Sequence, residues 1–556
     1  MRKQPGELRR RFGLETLRGD LFGGVTAAVV ALPLALAFGV ASGAGPVAGL
    51  YGAIAVGFFA AVFGGTPTQV SGPTGPMTVV MGAVIAAHAT NLAEAFAIVT
   101  LGGLLQIAFG VMRVGRYVMY TPYSVVSGFM TGIGLIIMIV QILPFLGLDA
   151  AGGGVIGALK ALAGLDPSQI RPGPFALAFA ALTLIVFWPK KLQRYVPAPL
   201  AALVFGTAAA AFFIQDAPTI GSVPQGLPAL LAPSISLADA PQMLQAAFIL
   251  ALLGSIDSLL TSLIADSVTR TRHDPDRELI GQGIGNAVSG LIGGLPGAGA
   301  TMRTLVNIRA GGRTRLSGAI HALTLLGMAL GLGPLVERVP HAVLAAILMK
   351  VGWDIIDWPY LRRMASAPRD KFVIMLITMA LTVFVDLIMA VAVGIIMASL
   401  VNARHMAALQ LKTVRQGASP DELDQLDDEE RALLRAADGK VLITILQGTY
   451  SYASARELAR RASPALTGAR VCVFDFTNVA YVDTSAALAV QEIMTITHEK
   501  GQKIFVSGLS REVAKTLDGL AALPHVGPEE RFATRREAIE AAVRCAADGA
   551  ASSRER

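Results

Sequence analysis

A polytopic α-helical membrane protein, followed by a smaller soluble α/β domain, is the fold class that this sequence predicts. Three observations carry that reading. Of the 556 residues 53% are hydrophobic and only 15% charged, with 59 glycines, the balance of a chain that crosses a bilayer many times. The charge is unevenly spread. Long apolar runs dominate from about Asp20 to Asn402, a dense acidic cluster follows at Asp421 to Glu430, and the remainder has ordinary soluble composition. Finally, two short segments broken by glycine and proline sit at matching places in the two halves of the apolar stretch. They are TPTQVSGPTGPMTVV, from Thr66 to Val80, and GGLPGAGATMRTLV, from Gly293 to Val306.

The basic start, MRKQPGELRRRFGLETLRGD, leads into an apolar run from Leu21 to Ser42. That run is long enough to span and further spans follow, so it reads as the first transmembrane helix rather than a signal peptide. At roughly twenty residues per crossing the apolar region holds about fourteen segments, several of them short. They fall near 20–42, 47–64, 73–88, 93–113, 122–146, 174–189, 197–215, 243–265, 278–295, 300–309, 317–335, 341–358, 371–386 and 387–404. With the N-terminus inside, the loops expected in the cytoplasm carry the positive charge: Arg113 and Arg116, then Lys190, Lys191 and Arg194. Arg270, Arg272 and Arg277, then Arg309, Arg313 and Arg315, and finally Arg362, Arg363, Arg369 and Lys371 continue the pattern. Outer loops offer little beyond Lys160, Arg171 and Arg338, as the positive-inside rule requires. An even number of crossings returns the C-terminal domain to the cytoplasm. The net charge of +7 is explained by these loops, and no nucleic-acid partner is implied. Seven crossings before about residue 216 and seven after suggest two inverted repeats, each with a broken third element.

Those broken elements are the candidate binding site. Pro73, Gly75 and Pro76, like Pro296, Gly297 and Gly299, leave backbone groups unpaired, which hydrocarbon tolerates only around a cavity or inside protein. Half-helix N-termini that meet at the midplane present free N–H groups and positive dipole ends to an anion. The hydroxyls Thr68, Ser71, Thr74 and Thr301 lie in the same segments. The plainer alternative is a pair of re-entrant kinks used only for packing.

Between the two segments, FILALLGSIDSLLTSLIADS places Asp257 deep in an apolar helix, with Thr261 one turn on and on the same face. Carboxylate, hydroxyl and backbone carbonyls around Gly299 would suit Na⁺ rather than a transition metal. Asp257 could instead carry a proton, or simply cap a neighbouring broken helix. Arg303 has three readings: added positive charge at an anion site, a snorkel toward the cytoplasm, or a pair with Glu278. Lys350 reads as an interfacial or interhelical charge, and His88 and His321 as helix-end or packing histidines. Phosphate loop, metal cluster and histidine-paired nucleophile are all missing from the sequence, so an enzyme is not expected and energy must come from ion gradients. Secondary transport is the reading, and two half-helix ends of roughly half a charge each favour a monoanion. An anion channel or sensor on the same scaffold is the other class.

After an acidic linker helix, KVLITILQGTYSY reads as a β-hairpin-like pair. The run from Ala469 to Ser510 then alternates strand, helix and strand, suggesting an α/β domain of about a hundred residues. The expected division is 1–19 cytoplasmic segment, 20–404 transmembrane domain, 405–439 linker, 440–545 soluble domain and 546–556 disordered tail. Cys472 and Cys545 both lie in the soluble part and read as buried thiols.

The run DLFGGVTAAVVALPLALAFGVASGAGPVAGLYGA resembles the opening of the sulfate permease (SulP) family. So do TPTQVSGPTGPMTVV, GSIDSLLTSLIAD and ELIGQGIGNAVSGLIGGLPGAGATMRTLVNIRAGG, and the likeness, nearest to BicA-type bicarbonate transporters, covers nearly the whole chain. It implies seven-plus-seven inverted repeats divided into core and gate domains, an elevator movement between them, an inner-membrane location and a homodimer. It also implies bicarbonate between the half-helices, with the Thr68 hydroxyl and the amides of Ala300 and Thr301 as donors. Na⁺ as coupling ion would be held by Asp257, Thr261, Gly299 and Thr301, with no other cofactor, and Arg303 falls where some relatives keep an arginine near the anion. One departure is Gly72, where an acidic residue is expected. The family also moves sulfate, dicarboxylates and chloride. The soluble part resembles a STAS domain through Asp475, Phe476, Thr477 and then Asp483, Thr484, Ser485. The aspartate-led turn caps the following helix. Ala486 stands where phosphorylated relatives have glycine, so dimerisation or a regulatory partner is the better expectation for this domain.

Overall fold

The computed structural model describes residues 13–552, apart from 88–90, 119–120, 190, 195, 215–216, 221–228, 232–238, 332–336, 364–365, 367–368, 386 and 463–467. His88 and the division near Asp386 therefore lie outside the described residues. The chain forms two compact units, Met1–Ile396 and Met397–Arg556.

The first unit is helical. Its first-half elements are α1 (Leu14–Ala41), α2 (Pro46–Phe63), the two-residue strand β1 (Ser71–Gly72), α3 (Gly75–Ala87), α4 (Leu92–Val111) and α5 (Tyr123–Phe145). A short surface helix α6 (Gly154–Ala163) precedes α7 (Pro172–Phe187) and α8 (Ala198–Phe213). The second half runs α9 (Ala240–Thr269), α10 (Pro275–Leu291), β2 (Ala298–Gly299), α11 (Thr301–Arg309), α12 (Arg315–Gly331), α13 (His341–Ile355), α14 (Arg369–Phe384) and α15 (Leu387–Leu411). Among the described residues, six helices are long and apolar enough to span a bilayer by themselves, the last of them over Met389–Gln410. Others are shorter, and α3 and α11 are half-helices whose missing first halves are the extended leads into β1 and β2.

The packing of the first half recurs in the second. Helices α1 and α2 pack on α12 as α9 and α10 pack on α4, and α2 meets α10 between them. That set, with α3 and α11, forms one bundle. A second bundle is built on α5, which packs against α13 and α14, while α7 packs against α8 and α13. The two bundles touch mainly through α1 against α8 and α13, and α3 against α5. Gly75 at the start of α3 shows the character of this contact. A Cβ there would lie 2.8 Å from Ile137 Cδ1 and from Ile355 Cδ1, so aliphatic side chains abut the half-helix from the second bundle.

The second unit holds a five-stranded sheet in the order β3-β4-β5-β6-β7, with β3 (Arg415–Gly417) antiparallel to β4 and the others parallel. Here β4 is Val441–Tyr450, β5 Val471–Val482, β6 Lys503–Ser507 and β7 Arg531–Phe532. Alternation along β5 sends Cys472, Phe474 and Phe476 into one core and Val471 and Val473 into the other. Helices α17 (Tyr452–Ala462), α18 (Thr484–Glu499) and α19 (Arg511–Gly519) cover the first face; α16 (Asp428–Ala436) and α20 (Arg535–Ser552) cover the second. The hairpin-like pair expected at Lys440 to Tyr452 is instead one continuous strand. Gly448, at φ 86°, lets it bulge against β5 without reversing. The expected tail at 546 is also displaced: α20 continues to Ser552 on an alanine-rich run, with Ala546 buried. Asp483 accepts from Ala486 N at 2.8 Å and from Tyr452 N at 2.6 Å, so a single carboxylate caps the starts of α18 and α17. Both cysteines are free, and burial pushes the Cys472 thiol up to about 12.

Candidate functional site

The two broken segments meet as an antiparallel pair, Ser71 opposite Gly299 and Gly72 opposite Ala298. Ala300 N donates to Val70 O at 2.9 Å, and Val70 N donates to the Thr304 hydroxyl at 3.0 Å. This crossing satisfies most backbone groups that the interruptions expose, and it aims the N-termini of α3 and α11 at one region. It also changes one expectation: the Ala300 amide is already committed to Val70. The amides left without an intrahelical partner there are those of the first turn of α11, starting at Thr301, and of Gly75 and Met77 in α3, Pro76 having none.

Helix α9 crosses both ends with one polar face, Asp257, Ser258, Thr261 and Ser262, all buried. Asp257 Oδ2 accepts from the Thr74 hydroxyl at 2.8 Å, tying α9 to the start of α3. Ser258 Oγ accepts from Gly299 N at 3.1 Å. Thr261 Oγ1 donates to Gly299 O at 2.9 Å and lies 2.8 Å from Thr301 Oγ1. Thus Thr261, Gly299 and Thr301 are brought into direct contact, and Asp257 stands one turn away. A carboxylate, two hydroxyls and a carbonyl, all oxygen, fit a hard monovalent cation and offer nothing to a soft metal. Among the described residues no group of histidine, cysteine and acidic side chains is arranged to hold a metal ion.

Thr68 is buried two residues before Val70, and its carbonyl accepts from Asn307 Nδ2 at 2.9 Å, which seats it beside the C-terminal part of α11. Arg303 is 2% exposed and turned into the protein. Its Nη2 donates to Pro73 O at 2.6 Å, so the guanidinium of the second half clamps the lead-in of the first. It neither snorkels nor pairs with Glu278. Gly72 is explained by the same contact. Its φ of 149° disfavours side chains, and a Cβ there would lie 2.8 Å from Arg303 Nη1. Lys350 pairs with Asp354 within α13, an intrahelical contact rather than an interhelical one.

What residue-by-residue reading missed is the support behind the site. Helix α10 carries Glu278, Gln282, Asn286 and Ser289 at spacings of 4, 4 and 3, a buried polar stripe. Glu278 Oε2 accepts from the amides of Gly65 and Thr66, both at 2.8 Å, and Oε1 from Gln69 Nε2 at 2.9 Å and Gln282 Nε2 at 2.8 Å. Asn286 clasps Gly297 on both sides, accepting from its N–H at 2.7 Å and donating to its carbonyl at 3.0 Å, and also donates to Gln106. Ser289 donates to Leu295 O at 2.7 Å. The polar repeat at helical spacing in ELIGQGIGNAVSG was the available signal.

Comparison with known proteins identifies the family. Residues 17–378 match the sulfate permease family and residues 435–538 the STAS domain. A protein of Picosynechococcus sp. named bicarbonate transporter BicA is 44% identical over 549 residues, covering 97% of this chain and 96% of that protein. Its namesake in Synechocystis sp. is 45% identical over 544 residues, with the same coverage of 97% and 96%. The solved transmembrane domain of a cyanobacterium bicarbonate transporter BicA superposes with a TM-score of 0.65 at 52% identity, over 68% of this chain and 98% of that one. Murine Solute Carrier 26 family member A9, solved in an inward-facing state, shares the fold, with a TM-score of 0.78 at 19% identity, over 97% of this chain and 93% of that one. The chain is a multi-pass anion transporter, not an enzyme, and it belongs to the sulfate permease family, with a STAS domain at its C-terminal end.

Proposed function

We propose that this protein takes up bicarbonate coupled to Na⁺ across the inner membrane, by an elevator movement of the α1–α4 and α9–α12 bundle against the second bundle. The observation that carries the coupling is the contact of Thr261, Gly299 and Thr301 beside Asp257, at the place where two half-helix N-termini meet. Asp257, Thr261, Gly299 O and Thr301 would hold Na⁺, which supplies positive charge next to the anion. The amides at the starts of α3 and α11 and the hydroxyls of Thr301 and Thr68 serve the anion; Arg303 acts from behind as a fixed charge. Bicarbonate is favoured over sulfate or a dicarboxylate by the full-length likeness to proteins named bicarbonate transporters. The elevator reading draws on the aliphatic contact of α3 with Ile137 and Ile355, which has no directional bonds to break when one bundle slides.

In this reading residues 20–404 form the transport domain, and the cytoplasmic STAS domain that mediates dimerisation or regulation begins near Arg415 rather than after a linker at 405–439, because β3 and α16 within that span belong to its sheet and core. Deleting the chain after about residue 411, ahead of β3 and α16, then leaves a membrane unit that purifies as a folded species; aggregation of the truncated protein would show that the units depend on each other.

The test is radiolabelled bicarbonate uptake into proteoliposomes at constant pH, with and without an inward Na⁺ gradient, with sulfate and fumarate in parallel. Na⁺-stimulated bicarbonate uptake is expected. Sulfate or fumarate uptake indifferent to Na⁺ would keep the anion site and discard the cation site. No flux of any of them would favour a channel or sensor.

A further inference from the structure

Gly299 is held from three sides. Its N–H donates to Ser258 Oγ at 3.1 Å and its carbonyl accepts from Thr261 Oγ1 at 2.9 Å, both on α9. The third side is its Cα, and the carboxamide of Gln69 packs directly against it. A Cβ built on Gly299 would collide with Gln69 Nε2 and lie 2.6 Å from Gln69 Cδ. That carboxamide is fixed at both ends. Its Nε2 donates to Glu278 Oε1 at 2.9 Å, and its Oε1 accepts from Ser262 Oγ at 2.9 Å. Ser262 follows Thr261 on α9, so Gln69 is tied to the helix that carries the hydroxyl on Gly299 O.

Charge sets which way the amide faces. The other partners of Glu278 are the amides of Gly65 and Thr66 and Gln282 Nε2, so all four are donors, as an ionised carboxylate requires. A carboxylate has no proton to give, so Gln69 must turn its NH₂ to Glu278 and its oxygen to Ser262. The single Ser262 proton is shared between Gln69 Oε1 and Ser258 O, each at 2.9 Å. That leaves the Thr66 hydroxyl to donate to Ser262 Oγ at 2.8 Å, and Thr66 N–H closes the ring on Glu278. Glu278, Gln69, Ser262 and Thr66 are all buried. Methionine would fill the same space at position 69 without an amide to satisfy, so volume alone does not account for Gln69. We infer that Gln69 is a positioning residue of the cation site. Braced between Glu278 and Ser262, it holds the Gly299 carbonyl at a fixed distance from Thr261 and so sets the size of the oxygen cage. This role rests on the cation site proposed above, and Gln69 itself touches neither ion. Groups behind a metal's ligands commonly orient them in this way.

The test is bicarbonate uptake into proteoliposomes by the full-length wild type, Gln69→Met and Ser262→Ala, driven by Na⁺ and, in parallel, by Li⁺. Gln69→Met keeps the bulk and removes both bonds. The Na⁺ concentration for half-maximal uptake should rise about tenfold, while the KM for bicarbonate at saturating Na⁺ stays within about twofold of wild type. The ratio of Li⁺ to Na⁺ activation should change as well, because a displaced carbonyl alters the cage that the ion must fit. Ser262→Ala cuts only the far bond and should give a smaller shift of the same kind, about threefold. It decides the matter if Gln69→Met does not fold. Equal changes in Na⁺ and bicarbonate dependence, or a lower maximal rate with the wild-type Li⁺ to Na⁺ ratio, would make Gln69 a structural residue and overturn the inference. Wild-type Na⁺ dependence in both variants would do the same. A wild type that carries bicarbonate without any response to Na⁺ is a different failure, since it removes the cation site and this role together.

Discussion

The two half-helices are built by the same backbone device and supported by different side chains. Helix α3 starts from a proline-rich lead, its Thr74 bonded to Asp257 and its Pro73 carbonyl clamped by Arg303 from the other half. Helix α11 starts from a glycine-rich lead, clasped by Asn286 and flanked by Ser258 and Thr261. Proline gives the first lead stiffness without N–H donors; glycine lets Thr261 and Gln69 approach the backbone of the second closely. A Cβ at Gly299 would lie 2.3 Å from Gln69 Nε2. On the proposed function, the repeat would supply two dipole ends for the anion, and among the described residues the oxygens proposed for the cation converge on its second copy. Inverted symmetry would then make the anion site, and its breakage the cation site.

The strongest test of that asymmetry is Asp257→Asn. It keeps a partner for Thr74 and removes the charge, so a folded protein with no cation-driven transport is expected; uptake with wild-type Na⁺ dependence would dismiss the assignment. Next come the two threonines compared directly. Thr261→Val, on the second-half side, is expected to weaken Na⁺ activation about tenfold, equivalent to about 1.4 kcal/mol. Thr74→Val, on the first-half side, removes a charge-assisted hydrogen bond to Asp257 but no proposed Na⁺ ligand, and is expected to weaken Na⁺ activation less than Thr261→Val does. Equal effects on Na⁺ from both would mean that the halves share the cation. Smaller in transport, though not in stability, is Asn286→Leu. It strands the Gly297 amide and the Gln106 side chain inside the protein, at about 1–3 kcal/mol for each unpaired group. A lower unfolding midpoint with Na⁺ dependence intact is the expected result.

The same contrast explains what could be read from the sequence. Proline and glycine within apolar runs locate the interruptions, because no bilayer-spanning helix keeps them without a reason. Asp257 and Thr261 stand out because a carboxylate in apolar surroundings is rare. The pairing of β1 with β2 was hidden, since it joins residues more than 220 positions apart, and with it the fact that Val70 takes up the Ala300 amide. Glu278, Gln282 and Asn286 share one helical face by their spacing, but nothing in the sequence says that all three are buried. Periodicity reports which residues share a face and is silent on what that face meets. Gly448 misled in the same way, as a glycine that permits a bulge and a glycine that permits a turn are identical in sequence.

The smallest effect is expected at Arg303, and it bears on which anion the site prefers. The guanidinium is enclosed, so its influence on a bound anion is that of a fixed charge rather than a ligand. Coulomb energy is linear in the ligand's charge, so a divalent anion gains twice what a monoanion gains from that charge. Arg303→Lys keeps the charge and one bond to Pro73 O, and bicarbonate uptake should stay within about threefold of wild type despite the lost fork. Arg303→Ala removes the charge and should weaken competition by sulfate more than self-competition by bicarbonate. If sulfate competes equally against all three proteins, the field of Arg303 does not reach the anion. Selectivity would then rest on the two half-helix ends alone.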